Sequence, residues 1–407
     1  MNDTLDVIIV GGGLVGASLA IALDGSGLRV ALAEAVPARA SAQPSYDERN
    51  LALARASLNA LGALGVLDDA SAAPTPIKQV VVTRRSEFGS LRLDAAALGL
   101  PAFGAVLPAR ELGNALLRRL DRYSALIRWA PAELVALEAH ADAIAVTMRT
   151  PDGERRHRTR LLVGADGSES FVRGACAIGV VRNDYEQCAF VTTVTTERAL
   201  GGCAFERFTD SGPIALLPLA GQRAGLVLTV TQTDVDEVAA LDDEAFVDLV
   251  HRRFGYRAGR LSRPGRRKPY PLRRVLADSV IAPRAVLVGN AAQTLHPIGA
   301  QGFNLGLRDA LTLAELLRET DGAQTDCGDV ALLRRHAERR ATDRRQTIAF
   351  SDDLVRLMGN PFLPLRVLRS LGFLALDRVG PLKRRFALRG MGFRGDAPSL
   401  TLSTGQS

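Results

Sequence analysis

The N-terminal segment constrains the fold more than any other part of this 407-residue chain. Residues 5–10 form an apolar, strand-like run, and the pattern Gly-x-Gly-x-x-Gly follows at Gly11, Gly13 and Gly16. In such a turn the first glycine permits a tight bend, the second lets the backbone approach a pyrophosphate, and the third allows strand and helix to pack closely. The pattern therefore predicts a strand–turn–helix unit whose helix begins at a phosphate-binding turn.

The residues after these glycines strengthen the prediction. Residues 17–23 continue as an apolar helix, 28–33 form a second strand-like run, and Glu34 lies at the end of that run. A carboxylate about 20 residues beyond the glycine turn is placed to bind the hydroxyl groups of a ribose. The order of strand, helix, strand and acid predicts a dinucleotide site. The alternative is a tight turn that binds no ligand.

Two more glycine-bearing turns follow strand-like runs, far away in sequence. The first, 164–173, reads Gly-Ala-Asp-Gly-Ser-Glu-Ser-Phe-Val-Arg, and the second, 289–309, passes from a glycine-rich turn into a helical pattern. A turn of this kind directs backbone N–H groups from the positive end of a helix, which stabilises negative charge on a bound group. Either turn alone is an ordinary feature of an α/β protein, but the three motifs together are more specific.

In this order and spacing, the three motifs resemble the class A flavoprotein monooxygenases of the para-hydroxybenzoate hydroxylase type, over nearly the whole chain. Residues 204–209, 212–213 and 216–218 resemble the ubiquinone-biosynthesis hydroxylases within that group. Asn290 and Gln293 stand where most relatives carry Asp and His, as in the branch that acts on 2-polyprenyl-6-methoxyphenol. The resemblance implies an α/β fold with a Rossmann-like FAD-binding domain, an inserted β-sheet substrate domain and C-terminal helices.

The resemblance also implies a reaction, in which NAD(P)H reduces FAD and one atom of O2 passes to an electron-rich aromatic ring. The chain itself cannot activate dioxygen without such a cofactor. The residues that the resemblance assigns to FAD are Gly11, Gly13, Gly16, Glu34, Arg49, Arg110, Asp166, Gly167, Asn290, Gly299, Gln301, Gly302 and Asn304.

Three of the residues in these motifs have more than one interpretation. Arg49 matches an arginine near the flavin phosphates and the nicotinamide site in relatives, which implies a catalytic role, or it is a solvated arginine at a helix start. His296 is a candidate for proton transfer or a structural capping group. Ala300 replaces a glycine that relatives usually carry, so a left-handed residue in this turn would have to be Gly299.

An apolar pocket for a prenylated phenol is expected to include Phe205, Phe208 and Leu217. Each buried methylene contributes about 0.8 kcal/mol, so a polyprenyl tail could dominate binding. The alternative is that these side chains belong to an ordinary sheet core.

The resemblance predicts a discontinuous FAD-binding domain made of 1–72, 100–178 and 272–345, with a sheet domain made of 73–99 and 179–271. Helices are expected over 346–395 and a flexible tail over 396–407. Between 356 and 394 nine Lys and Arg residues alternate with Leu, Val and Phe, and Asp377 is the one acid. This segment fits peripheral contact with an anionic membrane. Two ordinary helices with solvated arginines are the alternative.

The composition fits a large globular enzyme that stays inside the cell. The formal net charge is +7, but the chain carries no nucleic-acid-binding motif, so no nucleic-acid partner is expected. The four cysteines form no Cys-x-x-Cys pair and the five histidines are scattered, so neither a metal nor a disulfide framework is expected. This cysteine usage fits a cytoplasmic protein, and the basic segment would place it on the inner face of the membrane.

Two alternatives to 2-polyprenyl-6-methoxyphenol hydroxylation stay open. One is a related flavin hydroxylase that acts at another ring position or on another aromatic substrate. The other is a non-catalytic FAD-binding scaffold within a ubiquinone-biosynthesis complex.

Overall fold

The computed structural model describes residues 4–37, 49–319, 326–360, 362–393 and 396–402. In chain order the strands are β1 (Leu5–Val10), β2 (Val30–Ala33), β3 (Asn50–Ala54), β4 (Thr75–Ile77), β5 (Gln79–Arg84), β6 (Ser90–Asp94), β7 (Gly104–Pro108), β8 (Ile127–Trp129), β9 (Glu133–Ala139), β10 (Ile144–Thr150), β11 (Gly153–Gly164), β12 (Val180–Thr196), β13 (Cys203–Thr209), β14 (Gly212–Pro218), β15 (Arg223–Thr231), β16 (Leu261–Ser262), β17 (Lys268–Ala277), β18 (Ile281–Ala282), β19 (Ala285–Leu287) and β20 (Gln293–Thr294).

The helices are α1 (Leu14–Ala22), α2 (Arg55–Ala63), α3 (Ala109–Leu120), α4 (Phe171–Ala175), α5 (Val235–Ala240), α6 (Asp243–Phe254), α7 (Gln301–Arg318), α8 (Val330–Gly359), α9 (Leu363–Arg378) and α10 (Gly380–Gly390). Within the described ranges, no helix combines the length and the apolar character needed to cross a membrane.

The first sheet has the strand order β18-β19-β11-β1-β2-β8, and the β9–β10 meander extends from β11. Pairing is parallel between β1 and β2, β1 and β11, β11 and β19, and β2 and β8. The carboxyl ends of parallel strands meet at one edge of a sheet, where ligands bind in open α/β folds. The three glycine turns follow β1, β11 and β19, so the topology brings all three to the same edge.

Strand β1 is buried on both faces, as expected for the centre of a parallel sheet. Its Val7 and Ile9 pack against apolar residues of α1, α3 and α7, such as Leu19. Its Ile8 and Val10 pack on the opposite side against the β9–β10 meander. The predicted Rossmann-like core is therefore present.

The second sheet has the order β20-β17-β12-β15-β14-β13-β5-β6, with β16 paired to β12. One of its faces is covered by α5 and α6, whose Phe246 and Phe254 pack on Ile214 and Leu228. The opposite face is turned toward a small three-stranded sheet, β3-β7-β4, and toward the C-terminal helices.

The predicted domain segments do not coincide with the sheets at every strand. Strand β20 lies in a segment assigned to the FAD-binding domain but pairs with β17 of the second sheet. The segment 73–99 was assigned to the sheet domain, and β5 and β6 do pair there. Strand β4 instead pairs with β7, which lies in the segment assigned to the FAD-binding domain. The small sheet therefore links the two parts, and the division into domains remains a prediction.

The predicted flexible tail, 396–407, is wrong for 396–402. Thr401 is fully buried, and its carbonyl oxygen accepts a hydrogen bond of 3.0 Å from the Asn59 amide. The backbone N–H of Ser399 also donates to the Glu315 carboxylate at 3.1 Å. These contacts hold the segment against α2 and α7, while 403–407 lie outside the described residues.

Candidate active site

The first and second glycine turns touch each other through their backbones. Gly11 has φ 102°, and a Cβ placed there would lie 2.4 Å from the Ala165 carbonyl oxygen. A Cβ on Gly16 would lie 1.9 Å from the Gly11 carbonyl oxygen. Gly11 must therefore be glycine because of its positive φ and its close contact with Ala165. Gly16 must be glycine so that the helix can pack closely on the strand.

Helix α1 begins after Gly13, which has ordinary extended geometry with φ −66° and provides no side-chain cap. The N–H groups in the first turn of a helix have no partner within it, so this end suits an anionic group. Glu34 lies beside the turn: its carboxylate accepts from the Gly12 N–H at 2.7 Å and from the Val36 N–H at 2.9 Å. A carboxylate has about four lone-pair positions, so these bonds leave capacity for a ribose hydroxyl.

The second turn is held by its own side chains. Asp166 accepts from the Ser170 hydroxyl at 2.6 Å and from the Val172 N–H at 3.0 Å, which fixes the start of α4. Gly167 has φ 87° and nothing within 4 Å of the direction in which a Cβ would point. The turn is therefore rigid at Asp166 and open at Gly167.

Arg173, the last residue of the second turn, joins this turn to the third one. The guanidinium is 4% exposed and donates to the carbonyl oxygens of Ala291 at 3.0 Å and Ser168 at 2.8 Å. Among the described residues it forms no ion pair. Thr294 also donates to the Ser168 hydroxyl at 2.8 Å, so two bridges join the second and third turns.

The third turn takes its left-handed residue at Gly299, with φ 65° and ψ 15°. Gln301 is buried and donates to the Gly299 carbonyl oxygen at 2.9 Å. Gly302 has nothing within 4 Å of its Cβ direction, and Asn290 is exposed. Gly302 thus leaves the backbone at the start of α7 open on one side, while the Gln301 side chain supports the turn.

Asn304 holds α7 against the small sheet. Its side-chain oxygen accepts from the Ala54 N–H at 2.8 Å and the Ser57 hydroxyl at 2.7 Å. Its nitrogen donates to the Ala52 carbonyl oxygen at 3.0 Å. The Asn304 side chain therefore has a structural function, and the contact of this residue with FAD stays a prediction.

Behind the third turn lies a buried cluster of charges that the sequence analysis did not identify. The Asp343 carboxylate lies 2.6 Å from Arg308 Nε and 2.5 Å from Arg340, and Arg340 Nε lies 2.8 Å from Asp309. All four residues are at most 2% exposed. Burial alone would raise the pKa of Asp343, but the two guanidiniums overcome this and hold the pKa below its ordinary value.

Gln293 connects this cluster to the third turn. Its amide nitrogen donates to Asp309 at 2.5 Å, and its amide oxygen accepts from Arg344 Nε at 2.6 Å. The side chain is 2% exposed. An amide can donate and accept at once without carrying charge, which suits a position between a carboxylate and a guanidinium.

His296 is buried, with 1% of its surface exposed. Its Nδ1 accepts from the Ile298 N–H at 3.2 Å, its Nε2 has no partner among the described residues, and its ring meets the edge of Tyr185 at 5.0 Å. Burial lowers the pKa of His296 to about 4, so the ring is neutral near pH 7. These contacts favour the capping alternative over proton transfer.

The two predicted arginines lie close together in the fold. The Arg49 carbonyl oxygen accepts from the Ala109 N–H at 2.8 Å, one residue before Arg110 in the first turn of α3. The Arg49 guanidinium lies 5.6 Å from the centre of the Tyr270 ring. Arg110 is exposed. Arg49 thus lies between the small sheet and the second sheet, which is compatible with the predicted position near the cofactor.

The predicted substrate pocket needs a correction, because its three residues do not share one face of the sheet. Phe205 meets Phe254 of α6 edge-on at 6.0 Å, on the covered face. Phe208 packs in the cluster with Ile298, and Leu217 lies with Ala204 in another cluster on the opposite face. Successive strand residues point to opposite faces, so positions 205 and 208 cannot point the same way on a regular strand.

Comparison with known proteins identifies the family. A family profile described as an FAD binding domain matches residues 4–351. The chain belongs to this family of FAD-binding proteins.

Relatives of this flavoprotein extend over nearly its whole length. The ubiquinone hydroxylase UbiL of Rhodospirillum rubrum is 39% identical over 392 residues, with 96% of this chain and 90% of the relative aligned. The 3-demethoxyubiquinol 3-hydroxylase of Escherichia coli is 32% identical over 387 residues, with 94% and 97% aligned. Both are named as hydroxylases, and this chain is an FAD-dependent monooxygenase.

A solved structure confirms the fold. The p-nitrophenol 4-monooxygenase PnpA of Pseudomonas putida superposes with a TM-score of 0.79 at 18% identity, covering 97% of this chain and 99% of that one. The fold class expected from the sequence is therefore correct.

The residues of the three turns fit FAD. Gly11 and Gly16 tolerate no side chain, the first turn of α1 has no side-chain cap, and Gly167 and Gly302 are open. When bound, FAD supplies the oxidation–reduction chemistry, and the chain positions it and excludes water. In the described ranges, no group of three or more His, Cys, Asp or Glu residues is arranged to hold a metal ion.

Proposed function

We propose that this flavoprotein uses NAD(P)H and O2 to hydroxylate the ring of a polyprenylated phenol in ubiquinone biosynthesis. The observation that carries the proposal is the full-length similarity to relatives that are themselves named as ubiquinone-pathway hydroxylases. A further observation supports the proposal. The three glycine turns lie near the face of the second sheet that α5 and α6 do not cover, and this face is largely apolar.

Two ring positions compete within this proposal. The Asn290 and Gln293 pair supports 2-polyprenyl-6-methoxyphenol as the substrate. The E. coli relative, 32% identical, is named for hydroxylation at ring position 3, which supports a different carbon. Gln293 lies in the buried charge cluster rather than on an open surface, so its identity is a weak guide to the substrate.

The apolar side of the second sheet supports a prenylated substrate. Leu217 lies near Ile77 and Val106 of the small sheet, and Phe208 lies near Ile298 of the third turn. Each methylene of a prenyl chain buried against such a wall contributes about 0.8 kcal/mol. The aromatic head would then be oriented between the wall and the cofactor while its tail provides most of the affinity.

Peripheral membrane contact is part of the proposal, since a polyprenylated substrate resides in lipid. On α9 and α10, Leu368, Leu371 and Leu382 are 63%, 50% and 49% exposed. The same helices carry basic side chains such as Arg378 and Arg384. Apolar side chains surrounded by positive charge are typical of segments that lie on an anionic lipid surface.

The test begins with the purified protein and its visible absorption spectrum. The protein is expected to contain FAD and to oxidise NAD(P)H faster when a short-chain 2-prenyl-6-methoxyphenol or a short-chain demethoxyubiquinol is added. Mass spectrometry of the product then identifies the hydroxylated carbon. Bound FAD with no hydroxylated product from either compound would support the non-catalytic scaffold and refute the proposal.

Gly13→Val tests the placement of the cofactor separately. Gly13 has an ordinary φ, so a valine is compatible with folding but would obstruct the N-terminus of α1. We expect this variant to fold and to lose FAD. Gly62→Val, at an exposed helical position on α2, is the matched control and should retain FAD. Equal FAD content in both variants would show that the pyrophosphate lies elsewhere.

A further inference from the structure

Glu206 is a carboxylate in the middle of β13, on the face of the second sheet that α5 and α6 do not cover. Its cross-strand partners are Ala215 on β14 and Val82 on β5. Because side chains alternate along a strand, Glu206 shares its face with Ala204 and Phe208. Glu206 lies within residues 204–209, which resemble the ubiquinone-biosynthesis hydroxylases, and that resemblance implies no role for it.

Two packed clusters flank Glu206 on this face. Ala204, two residues before it, belongs to the cluster formed with Val106 and Ala52 of the small sheet. Phe208, two residues after it, belongs to the cluster that contains Ile298, next to Gly299 of the third turn. Glu206 therefore lies between the small sheet and the turn assigned to the cofactor.

The surface around Glu206 is less filled than the opposite face of the same strands. Ile214, Leu216 and Leu228 on the covered face are 0% exposed. Ala215 and Val227 alternate with them, yet both keep part of their surface exposed although they lie on central strands. This face is therefore only partly covered around Glu206, whose own side chain is also partly exposed.

No described residue offers Glu206 a hydrogen bond or an opposite charge. Burial alone raises the pKa of Glu206 to about 7, with no neighbouring cation to lower it. A carboxylate in an apolar wall is costly unless a ligand provides its partner. Such perturbed groups in clefts are concentrated at functional sites.

A second unpartnered polar group faces the same surface. The Asn50 amide nitrogen is buried without a hydrogen-bond partner among the described residues. A Cβ on Gly225 would lie 2.6 Å from it, which places the amide over β15. By strand spacing, Gly225 lies about 12 Å from Glu206 on the same face. One acceptor and one donor therefore lie on the same face of the sheet, far enough apart to contact a substituted ring at two points.

We propose that Glu206 is a catalytic residue that accepts the proton of the substrate's phenolic hydroxyl. The inference depends on the proposed function, and it adds the residue that makes the ring more electron-rich. In this step the phenolic O–H bond breaks, a new O–H bond forms on the carboxylate, and the electron pair stays on the ring oxygen.

The remaining atoms balance through the reaction already proposed. The ring receives one atom of O2 as a hydroxyl group, and the carbon that receives it releases its hydrogen as a proton to water. The other oxygen atom leaves as water, with two electrons from NAD(P)H. Glu206 returns its proton to the first ring oxygen and is ready for another cycle.

The test compares the wild-type holoenzyme with Glu206→Gln, which keeps the shape and cannot accept the proton. Substrate-stimulated hydroxylation of 2-prenyl-6-methoxyphenol should fall by about 10²–10⁴-fold, the usual contribution of general acid–base catalysis. The wild-type kcat/KM should decline below about pH 7, and this limb should be absent in the variant. Glu237→Gln, on the exposed side of α5, is the control and should match the wild type.

A binding measurement without NAD(P)H separates chemistry from structure. The phenol should bind Glu206→Gln and the wild type with dissociation constants within about tenfold of each other, at equal FAD content, because an interaction made only in the transition state is lost from turnover. A larger loss of phenol binding in the variant, or unchanged turnover, would overturn the role of Glu206 and leave the proposed function standing. If the wild type hydroxylates no phenol, the proposed function fails and this inference fails with it.

Discussion

Two regions of the molecule differ from the usual pattern of buried apolar and exposed charged side chains. The interface between α7 and α8 buries charged residues, and the outer surface of α9 and α10 exposes apolar ones. Arg308, Asp343 and Arg340 are at most 1% exposed between the first two helices. Leu368 and Leu371 on α9 are at least half exposed. A buried charge is unfavourable unless it is paired, and several exposed apolar side chains on adjacent helices can form a contact surface.

The partners differ in where they come from. Each buried charge in the first region has an opposite charge within the chain, and Gln293 joins them to the third glycine turn. On the outer helices the buried Arg369 also has an internal partner, Glu87, while the leucines have none among the described residues. The charges of the first region are thus paired within the protein, whereas the leucines of the second are the side chains that the proposed membrane contact would cover.

The largest expected effect comes from breaking the internal charge cluster. Asp343→Asn leaves Arg308 and Arg340 buried without adequate negative charge, and loss of one partner of a buried pair typically costs about 3–5 kcal/mol. We expect that loss in the free energy of unfolding, measured by urea denaturation of the holoprotein. Asp353→Asn, at an exposed position on the same helix, should change it by less than about 0.5 kcal/mol. Similar values for the two variants would contradict the account of the cluster.

Acid should weaken the same region. Burial lowers the pKa of His336 on α8 and of His296 to about 4, against an ordinary 6.5. The unfolded chain then binds more protons between these values, so stability is complete above pH 6.5 and falls as the pH drops toward 4. Each histidine contributes roughly 3 kcal/mol over that window.

Denaturation at several pH values measures this effect. His336→Gln should flatten the pH dependence of the unfolding free energy, whereas His140→Gln, at an exposed position, should not. An unchanged slope in the His336 variant would mean that the pKa of this histidine is the same in the folded and unfolded chain.

The glycine turns could be predicted from sequence because their chemistry is local. The signal lies within about 20 residues: a strand, then a turn that requires glycine at Gly11, then a helix. The charge cluster could not be predicted, because Arg308, Asp309 and Asp343 look like solvated helix residues until α7 and α8 are packed. The same holds for 396–402, whose contacts with Asn59 and Glu315 are entirely long-range.

The proposed substrate wall was only partly predictable, for a different reason. Residues 204–209 were assigned to the sheet domain, and the period of two in a strand already separates Phe205 from Phe208. The sequence did not indicate which face of the sheet α6 would cover, so it could not show that Phe205 packs against α6 and that Glu206 lies on the opposite face. A charged residue in the centre of an alternating strand was the available signal.

The exposed leucines of α9 can be tested for contact with lipid. Leu368→Glu combined with Leu371→Glu should reduce binding to vesicles that contain anionic lipid by about tenfold or more, equivalent to about 1.4 kcal/mol. Co-sedimentation measures the bound fraction, and the folded stability should be unchanged because both side chains are exposed. Val330→Glu, at an exposed apolar position on α8, is the control. Unaltered vesicle binding by the double variant would mean that the leucines face something other than lipid.

The smallest expected effect lies at the outer edge of the α7–α8 interface, where the segment 396–402 crosses it. The Glu315 carboxylate lies 2.6 Å from Arg339 of α8 and accepts from the Ser399 N–H. Glu315→Gln weakens both interactions in a half-buried setting, so we expect a loss of about 1 kcal/mol in unfolding free energy. Glu319→Gln removes the exposed pair with Arg335, whose side chains are 45% and 58% exposed, and should cost less than about 0.5 kcal/mol. Both changes remove one charge from the same end of α7. A larger loss of unfolding free energy for Glu315→Gln would therefore show that contact with 396–402, rather than charge alone, stabilises this interface.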